Sequence, residues 1–308
     1  MRVAVVGAGA VGSFFGARLA GAGIDVTLIG RPAHVDAIRA NGLVIDSETF
    51  GGRFAVKASA ETSAVAGAGV VLVATKTVDN YATARELATY ASREAVVVSL
   101  QNGVENAPQL HAVSRLRTVP AAVYIAVELV EPGRLRHLGR GDLEVGTSAT
   151  IASGATAEDV GLVVSLFQSA GVTCRLVADI APALWTKLAL NCSYNAISAL
   201  TRATYDAIAA DELTASLVRA LLHEIVVVAD ASGVPLDEAA MVDTAMQLGR
   251  TARGWLSSTA HDLVRGRRTE IDALNGFIVR RARELNLTVP LNAALTGLVR
   301  LAEGATPR

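Results

Sequence analysis

A chain of 308 residues that is 51% hydrophobic, 19% charged and 4% aromatic can bury a large aliphatic core and is long enough for about two domains of ~150 residues, which excludes global disorder. Its formal net charge of −1, from 28 basic and 29 acidic side chains, offers no electrostatic footprint for nucleic acid or for an anionic membrane surface. Cys174 and Cys192 have no metal-ligand spacing and the five histidines form no close motif, so reduced core cysteines, a cytoplasmic setting and no metal site are expected.

The first 24 residues are apolar enough to pass for a secretion signal. Gly7, Gly9, Gly12 and Gly16 punctuate the run, however, Arg18 breaks it, and no polar cleavage region follows. A glycine-rich strand–turn–helix is the better reading. No later stretch reaches the ~20 uninterrupted apolar residues that would cross a bilayer.

Strand-type runs at Val3–Val6 and Val26–Ile29 flank a helix from Ala10 to Gly23. Leu43–Asp46 and Phe54–Lys57, with turn residues at Gly51 and Gly52, read as a hairpin. Val70–Ala74, Ala95–Leu100 and Thr118–Ile125 follow as strands, with a helix from about Asn80 to Ala91. Fully apolar strands alternating with helices point to a parallel sheet covered on both faces. Val127–Val145, turning at Glu131-Pro132-Gly133, is expected to be antiparallel and to form one edge. A helix at Ala157–Ala170 and a strand near Cys174 end this half.

From about Pro182 the strand signals almost vanish. Helical periods run through Leu184–Ala203, Asp206–Ser232, Leu236–Thr251, Ser258–Arg265, Thr269–Leu285 and Asn292–Ala302. The expected domains are therefore 1–181 and 182–308, joined without a low-complexity linker, with the working site in a cleft between them.

Gly7-Ala8-Gly9-Ala10-Val11-Gly12 matches G-x-G-x-x-G, entered by a strand and left by a helix. The first glycine allows the tight turn, the second lets backbone approach a pyrophosphate, and the third lets helix and strand pack closely. The fold class is thus α/β: an N-terminal Rossmann-type doubly wound sheet with a C-terminal all-α domain. At the end of the second strand stands Arg31, where a carboxylate would bind a ribose 2′-hydroxyl. An arginine pairs instead with a 2′-phosphate, which favours NADPH over NAD. Lys76 and Asn102 each follow a parallel strand and should face the cofactor crevice, although Asn102-Gly103 also fits an ordinary turn.

On the helix after the boundary, Lys187, Asn191 and Asn195 stand at i, i+4 and i+8, within roughly 80° of one another on one face. Such a row in apolar surroundings suits carbonyl reduction: hydride reaching a ketone carbon leaves charge on oxygen, and a lysine can supply the proton. Asparagines orient substrate oxygens without a competing charge. A partly exposed polar stripe is the plainer alternative.

Together with Gln101-Asn102-Gly103, Ser257-Ser258 and Thr269-Glu270-Ile271-Asp272-x-x-Asn275-Gly276, these residues resemble the ketopantoate reductase (2-dehydropantoate 2-reductase) family over nearly the whole chain. The resemblance implies that NADPH delivers hydride to the 2-oxo carbon, with Lys187 as proton donor. It implies that Glu270 holds the lysine and the nascent 2-hydroxyl, and that Asn191, Asn195 and Ser258 grip substrate oxygens. Asn102 would lie between nicotinamide and substrate, and Ala126 would touch the cofactor. Thr269-Glu270-Ile271-Asp272 also reads as a capped helix start, and Ser258 as a cap. Two departures bear on specificity. Asp79 follows Lys76 closely and opposes a 2′-phosphate, and Tyr205 stands where some members place an asparagine near the substrate. Reduction of another branched or aromatic 2-oxo acid, or an NADPH-binding sensor without turnover, are the competing functions. Helical second domains of this fold either pair or stay single, so a homodimer is one of two open outcomes.

Overall fold

In the computed structural model, which describes residues 1–305, the chain opens on alternating strands and helices. These are β1 (Arg2–Val6), α1 (Ala10–Gly21), β2 (Asp25–Ile29), α2 (Pro32–Asn41), β3 (Leu43–Asp46), β4 (Gly52–Phe54), β5 (Lys57–Ser59), β6 (Val70–Val73), α3 (Asn80–Tyr90), β7 (Val96–Ser99) and α4 (Asn106–Ser114). The long strands β8 (Thr118–Glu131) and β9 (Arg134–Val145), then α5 (Ala157–Ser169) and β10 (Cys174–Leu176), complete this half. The described strands form one ten-stranded mixed sheet in the order β4-β3-β9-β8-β7-β6-β1-β2-β5, with β10 on β9.

The apolar strands have a reason to be apolar on both faces. Val3, Val5, Leu28, Val70, Leu72, Val96 and Val98 pack with Phe14, Phe15 and Leu19 of α1 and Val163 and Phe167 of α5. Their alternate neighbours Ala4, Val6, Ile29, Val71, Val73 and Val97 pack with Ala84 and Leu87 of α3 and Leu110 of α4. Side chains alternate across a strand, so a sheet with helices on both sides needs no polar face.

Two expectations about this half are corrected. The hairpin from Leu43–Asp46 is present, but its second arm is Gly52–Phe54 rather than Phe54–Lys57. Gly52–Phe54 pairs antiparallel with β3, and Lys57–Ser59 crosses to pair parallel with β2 at the opposite edge. The hairpin of β8 and β9 is antiparallel as expected, but it is not an edge. β9 also takes β3 and β10 as parallel partners, because a twelve-residue strand offers backbone partners beyond the reach of one neighbour.

The chain divides into two compact units, Met1–Ile180 and Ala181–Arg308. The second is helical: α6 (Ala181–Thr201), α7 (Tyr205–Ala210), α8 (Glu212–Ala231), α9 (Glu238–Thr251), α10 (Ser258–Val264), α11 (Asn275–Glu284) and α12 (Pro290–Ala305). The single helix expected over Asp206–Ser232 is two. Asp211 stays extended and caps α8, accepting from the Thr214 amide at 2.9 Å. Thr269–Leu285 likewise breaks, into a 3-10 turn at Ile271–Ala273 and then α11, with Leu274 non-helical between them. No described helix is long and apolar enough to cross a membrane.

Candidate active-site residues in the two units

Strand register brings the nucleotide-side residues to one level. Val6 pairs with Ile29 and with Val73, and Val73 with Ser99, so the loops after β1, β2, β6 and β7 leave the same carboxyl edge of the sheet. That edge carries Gly7–Gly12, Arg31, Lys76 and Asn102, the position at which parallel sheets bind ligands. β8 runs on beyond its pairing of Pro120 with Ser99, and Ala126 lies where its register with β9 is broken between Tyr124 and Val127.

The glycine loop is built by backbone contacts. Gly7 has φ +97°, and a Cβ there would stand 2.5 Å from the Thr75 nitrogen. One at Gly12 would stand 2.2 Å from the Gly7 oxygen. Gly7 and Ala8 amides both donate to the Ile29 oxygen at 2.9 Å, and a Cβ on Gly30 would lie 2.8 Å from that of Ala8. The loop and the β2 end are thus interlocked. At Gly9, by contrast, a Cβ would meet nothing within 4 Å. α1 starts there with no side-chain cap and no acidic residue in its first turn. Open backbone amides at the positive end of a helix fit a dinucleotide pyrophosphate.

The other two loops are tied to each other. Buried Gln101 donates through Nε2 to the Thr75 oxygen at 3.0 Å and to Asn80 Oδ1 at 3.3 Å, and its own Oε1 accepts from Ser99 Oγ at 3.1 Å. Asn80 Nδ2 donates to the Asn106 oxygen at 3.2 Å, and Asn106 Nδ2 to the Asn102 oxygen at 2.6 Å. Lys76 and Asn102 are therefore set on a fixed polar frame, both partly buried, whereas Asp79 is exposed. Arg31 is exposed at the start of α2. Behind the glycine loop, buried His34 accepts from the Gly133 amide at Nδ1 (2.9 Å) and meets Ser13 Oγ at 3.2 Å through Nε2. Burial first, and the Arg31 charge second, hold its imidazole below the ordinary 6.5.

In the helical unit, α6 is continuous through Lys187, Asn191 and Asn195, so the three share a face. Lys187 and Asn191 are partly buried and Asn195 is 2% exposed. Asn195 is held at both ends: its backbone oxygen accepts from Ser257 Oγ at 3.1 Å, and its Oδ1 accepts from the Tyr205 hydroxyl at 2.6 Å. Between Asn191 and Asn195, the Cys192 oxygen accepts from Asn275 Nδ2 at 3.0 Å. The same Nδ2 donates to Asn292 Oδ1 at 2.9 Å, and Asn292 Nδ2 donates to buried Glu224 at 2.8 Å. Asn275 Oδ1 is buried without a hydrogen-bond partner.

Ser257, not Ser258, caps α10, accepting from the Ala260 amide at 3.0 Å. Ser258 is exposed at the first helical position, so the cap reading belongs to its neighbour. Glu270 is partly buried just ahead of the 3-10 turn. Thr269 is not the cap of a helix, since Glu270 precedes the 3-10 turn and Leu274 precedes α11, both without a side-chain cap; its Oγ1 accepts from the Ile271 amide at 3.2 Å and donates to Glu303 at 2.5 Å. Asp272 is engaged by Arg300 at 2.8 Å, a structural use.

Asn275 and Tyr205 are the residues that sequence spacing does not place. Their partners lie 83 and 10 residues away on other elements or turns, and only the run Asn275-Gly276 after the acidic pair hints at the first. Cys174 and Cys192 are buried free thiols. Among the described residues no group of three His, Cys, Asp or Glu could hold a metal ion.

Comparison with known proteins identifies the family over nearly the whole chain. The family model described as ketopantoate reductase PanE/ApbA matches residues 3–150, and that of its C-terminal domain matches residues 179–303. A 2-dehydropantoate 2-reductase of Halobacterium salinarum is 34% identical over 309 aligned positions, covering 98% of this chain and 99% of its own. The crystal structure of a PanE/ApbA family ketopantoate reductase from Ralstonia eutropha JMP134 superposes with TM-score 0.90 at 40% identity, covering 99% of each chain. A D-mandelate dehydrogenase in complex with NADH and anilino(oxo)acetate shares the fold, with TM-score 0.91 at 21% identity over 99% of each chain. With both domains matched and full-length relatives above 30% identity, the chain belongs to the ketopantoate reductase family.

Proposed function

We propose that this chain reduces ketopantoate (2-dehydropantoate) to pantoate with NADPH, the step that serves pantothenate and hence coenzyme A synthesis, in the cytoplasm. The observation that carries the reading is the α6 row of Lys187, Asn191 and Asn195, in a chain whose glycine loop is open at Gly9. NADPH, when bound, supplies a hydride to the 2-oxo carbon. The chain's own residues supply the rest. Gly7, Ala8, Gly9, Ala10, Val11 and Gly12 present backbone to the pyrophosphate, and Arg31 pairs with the 2′-phosphate. Lys76 and Ala126 line the cofactor, and Asn102 serves the contact between nicotinamide and substrate.

Lys187 is assigned the proton at Nζ, which it passes to the carbonyl oxygen as charge develops there. Glu270 is assigned to the lysine and to the hydroxyl that forms, since a carboxylate and an ammonium out of bulk water each need the other. Asn191, Asn195 and Ser258 are assigned to substrate oxygens. Exposed Ser258 has a hydroxyl unused by the helix cap, because Ser257 takes that duty.

The test is NADPH oxidation, followed by absorbance, over a panel of 2-oxo acids with NADH in parallel. Turnover on ketopantoate with NADPH supports the reading. Turnover confined to another branched or aromatic 2-oxo acid keeps the mechanism and discards the pathway. Tight NADPH binding without turnover on any member leaves a sensor instead.

A further inference from the structure

The helical unit contains a pair of stacked tyrosines that the chemistry above does not use. Tyr194 and Tyr205 lie with ring centroids 4.8 Å apart and planes 29° from parallel. Tyr194 is fully buried on α6 and donates its hydroxyl to the Ala245 oxygen at 2.9 Å. Gly249 makes room for that hydroxyl, since a Cβ there would stand 2.7 Å from it. The Tyr205 amide donates to the Trp255 oxygen at 3.0 Å, and Asp206 Oδ1 accepts from the Gly254 amide at 2.9 Å. The Tyr205 backbone is thus anchored and its ring is stacked on Tyr194 where its hydroxyl meets Asn195 Oδ1.

An asparagine amide is ambidextrous: oxygen and nitrogen occupy equivalent positions, and a partner decides which faces where. We propose that Tyr205 is a positioning residue for substrate recognition, its hydroxyl fixing Asn195 Oδ1 so that Nδ2 is the group offered to the oxygens of a 2-oxo acid. This rests on the assignment of Asn195 to the substrate in the proposed function. The alternative polarity, with the amide donating to the phenol, would offer a carbonyl to a negatively charged substrate. Burial raises the Tyr205 phenol well above its ordinary value, with Tyr194 adding to the shift, so the hydroxyl keeps its proton to donate throughout the working range.

The experiment is a double-mutant cycle with Tyr205→Phe, which keeps the ring stack, and Asn195→Ala. Y205F should raise the KM for ketopantoate about tenfold, the worth of one well-made hydrogen bond. The kcat should change less than about threefold and the KM for NADPH should stay the same, while the melting temperature falls modestly because buried Asn195 Oδ1 loses its donor. Added to N195A, Y205F should have no further effect on KM. Asn195→Asp supplies an independent reading in the protein with Tyr205 intact: it keeps the oxygen that the phenol bonds but removes the N–H donor, so KM should rise at least as much as in Y205F. An unchanged KM in Y205F or in N195D, or multiplicative losses in the cycle, overturns the assignment. So does a loss of NADPH affinity matching the rise in the KM for ketopantoate, which a merely structural tyrosine would produce. A wild-type enzyme inactive on every 2-oxo acid removes the proposed function and this inference together; an active one with a silent Y205F removes the inference alone.

Discussion

The sheet unit and the helical unit solve the problem of placing chemistry in opposite ways. In the sheet unit the loop proposed for the cofactor is made of backbone: Gly7, Gly12 and Gly30 are needed for what they lack, because a methyl at any of them would strike a neighbour within 2.8 Å. In the helical unit the groups proposed for the chemistry are side chains on one face of α6, and the bonds that hold that face come from other elements. Function written in backbone fails by steric intrusion. Function written in side chains fails by loss of a donor, an acceptor or a proton.

The largest effect that would sharpen this contrast is Lys187→Ala. It should lower kcat by ~10²–10⁴-fold, the typical cost of a missing proton donor, while NADPH binding measured by fluorescence titration is unchanged. If NADPH affinity falls in step, the lysine belongs to the cofactor site and the division of labour is wrong. Next comes Arg31→Ala, expected to raise the KM for NADPH ~10–100-fold through loss of a charge-assisted pair, with the KM for NADH little altered. Equal losses on both cofactors would remove the 2′-phosphate assignment.

Within the loop itself, Gly12→Ala and Gly9→Ala separate folding from binding. G12A forces the Gly7 carbonyl to move and should lower both the melting temperature and NADPH affinity, about tenfold for the latter, as overpacking against backbone does. G9A enters open space, so it should leave melting unchanged and weaken NADPH alone. Across the divide, Asn275→Ala deprives the Cys192 carbonyl and Asn292 of a buried donor. It should cost ~1–3 kcal/mol by denaturant titration, with NADPH affinity intact.

The smallest effect is a pH slope. His34 titrates below 6.5 in the folded chain because burial disfavours its charged form. Below 6.5 the unfolded chain binds a proton that the native one resists, so stability falls as pH drops from about 7 through the depressed pKa. His34→Gln should flatten the difference in denaturation midpoint between pH 7.5 and 5.5. An identical slope in the variant would detach His34 from the acid sensitivity of this unit.

What could be read from sequence follows the same divide. β1, the glycine loop and α1 are legible because the spacing of Gly7, Gly9 and Gly12 between an apolar run and a helical one is itself a local pattern, even though the loop is built on contacts with Thr75 and Ile29, and Lys187, Asn191 and Asn195 because helical spacing alone puts them together. The split of Gly52–Phe54 from Lys57–Ser59 is not legible. Three-residue strands take their identity from the partner, and those partners are on opposite edges. α2 escapes notice because its buried face is only His34, Val35 and Ile38, too short a period to stand out. The break at Leu274 is invisible because Asn275 is taken up by Cys192 and Asn292, and Tyr205 shows its use only when the turn after α6 brings it back to Asn195.

The chain of bonds from Cys192 through Asn275 and Asn292 to Glu224 spans up to 83 residues, and this has a consequence for biogenesis. Domains form as they leave the ribosome, amino-terminal first. The sheet unit has all its strands by Leu176 and can mature while the rest is still being made. α6 emerges next with its lysine and asparagines and meets Tyr205 and then Ser257, but the donor to its Cys192 carbonyl and the link onward to Glu224 arrive only with Asn275 and Asn292, near the end of translation. The α6 row proposed for the chemistry is thus among the earlier parts of its unit to be synthesised and is tied to Glu224 only at the end, so a protein shortened by its final helix would keep Tyr205, Ser257 and Asn275 on α6 but lose the Asn292 link that connects Asn275 to Glu224.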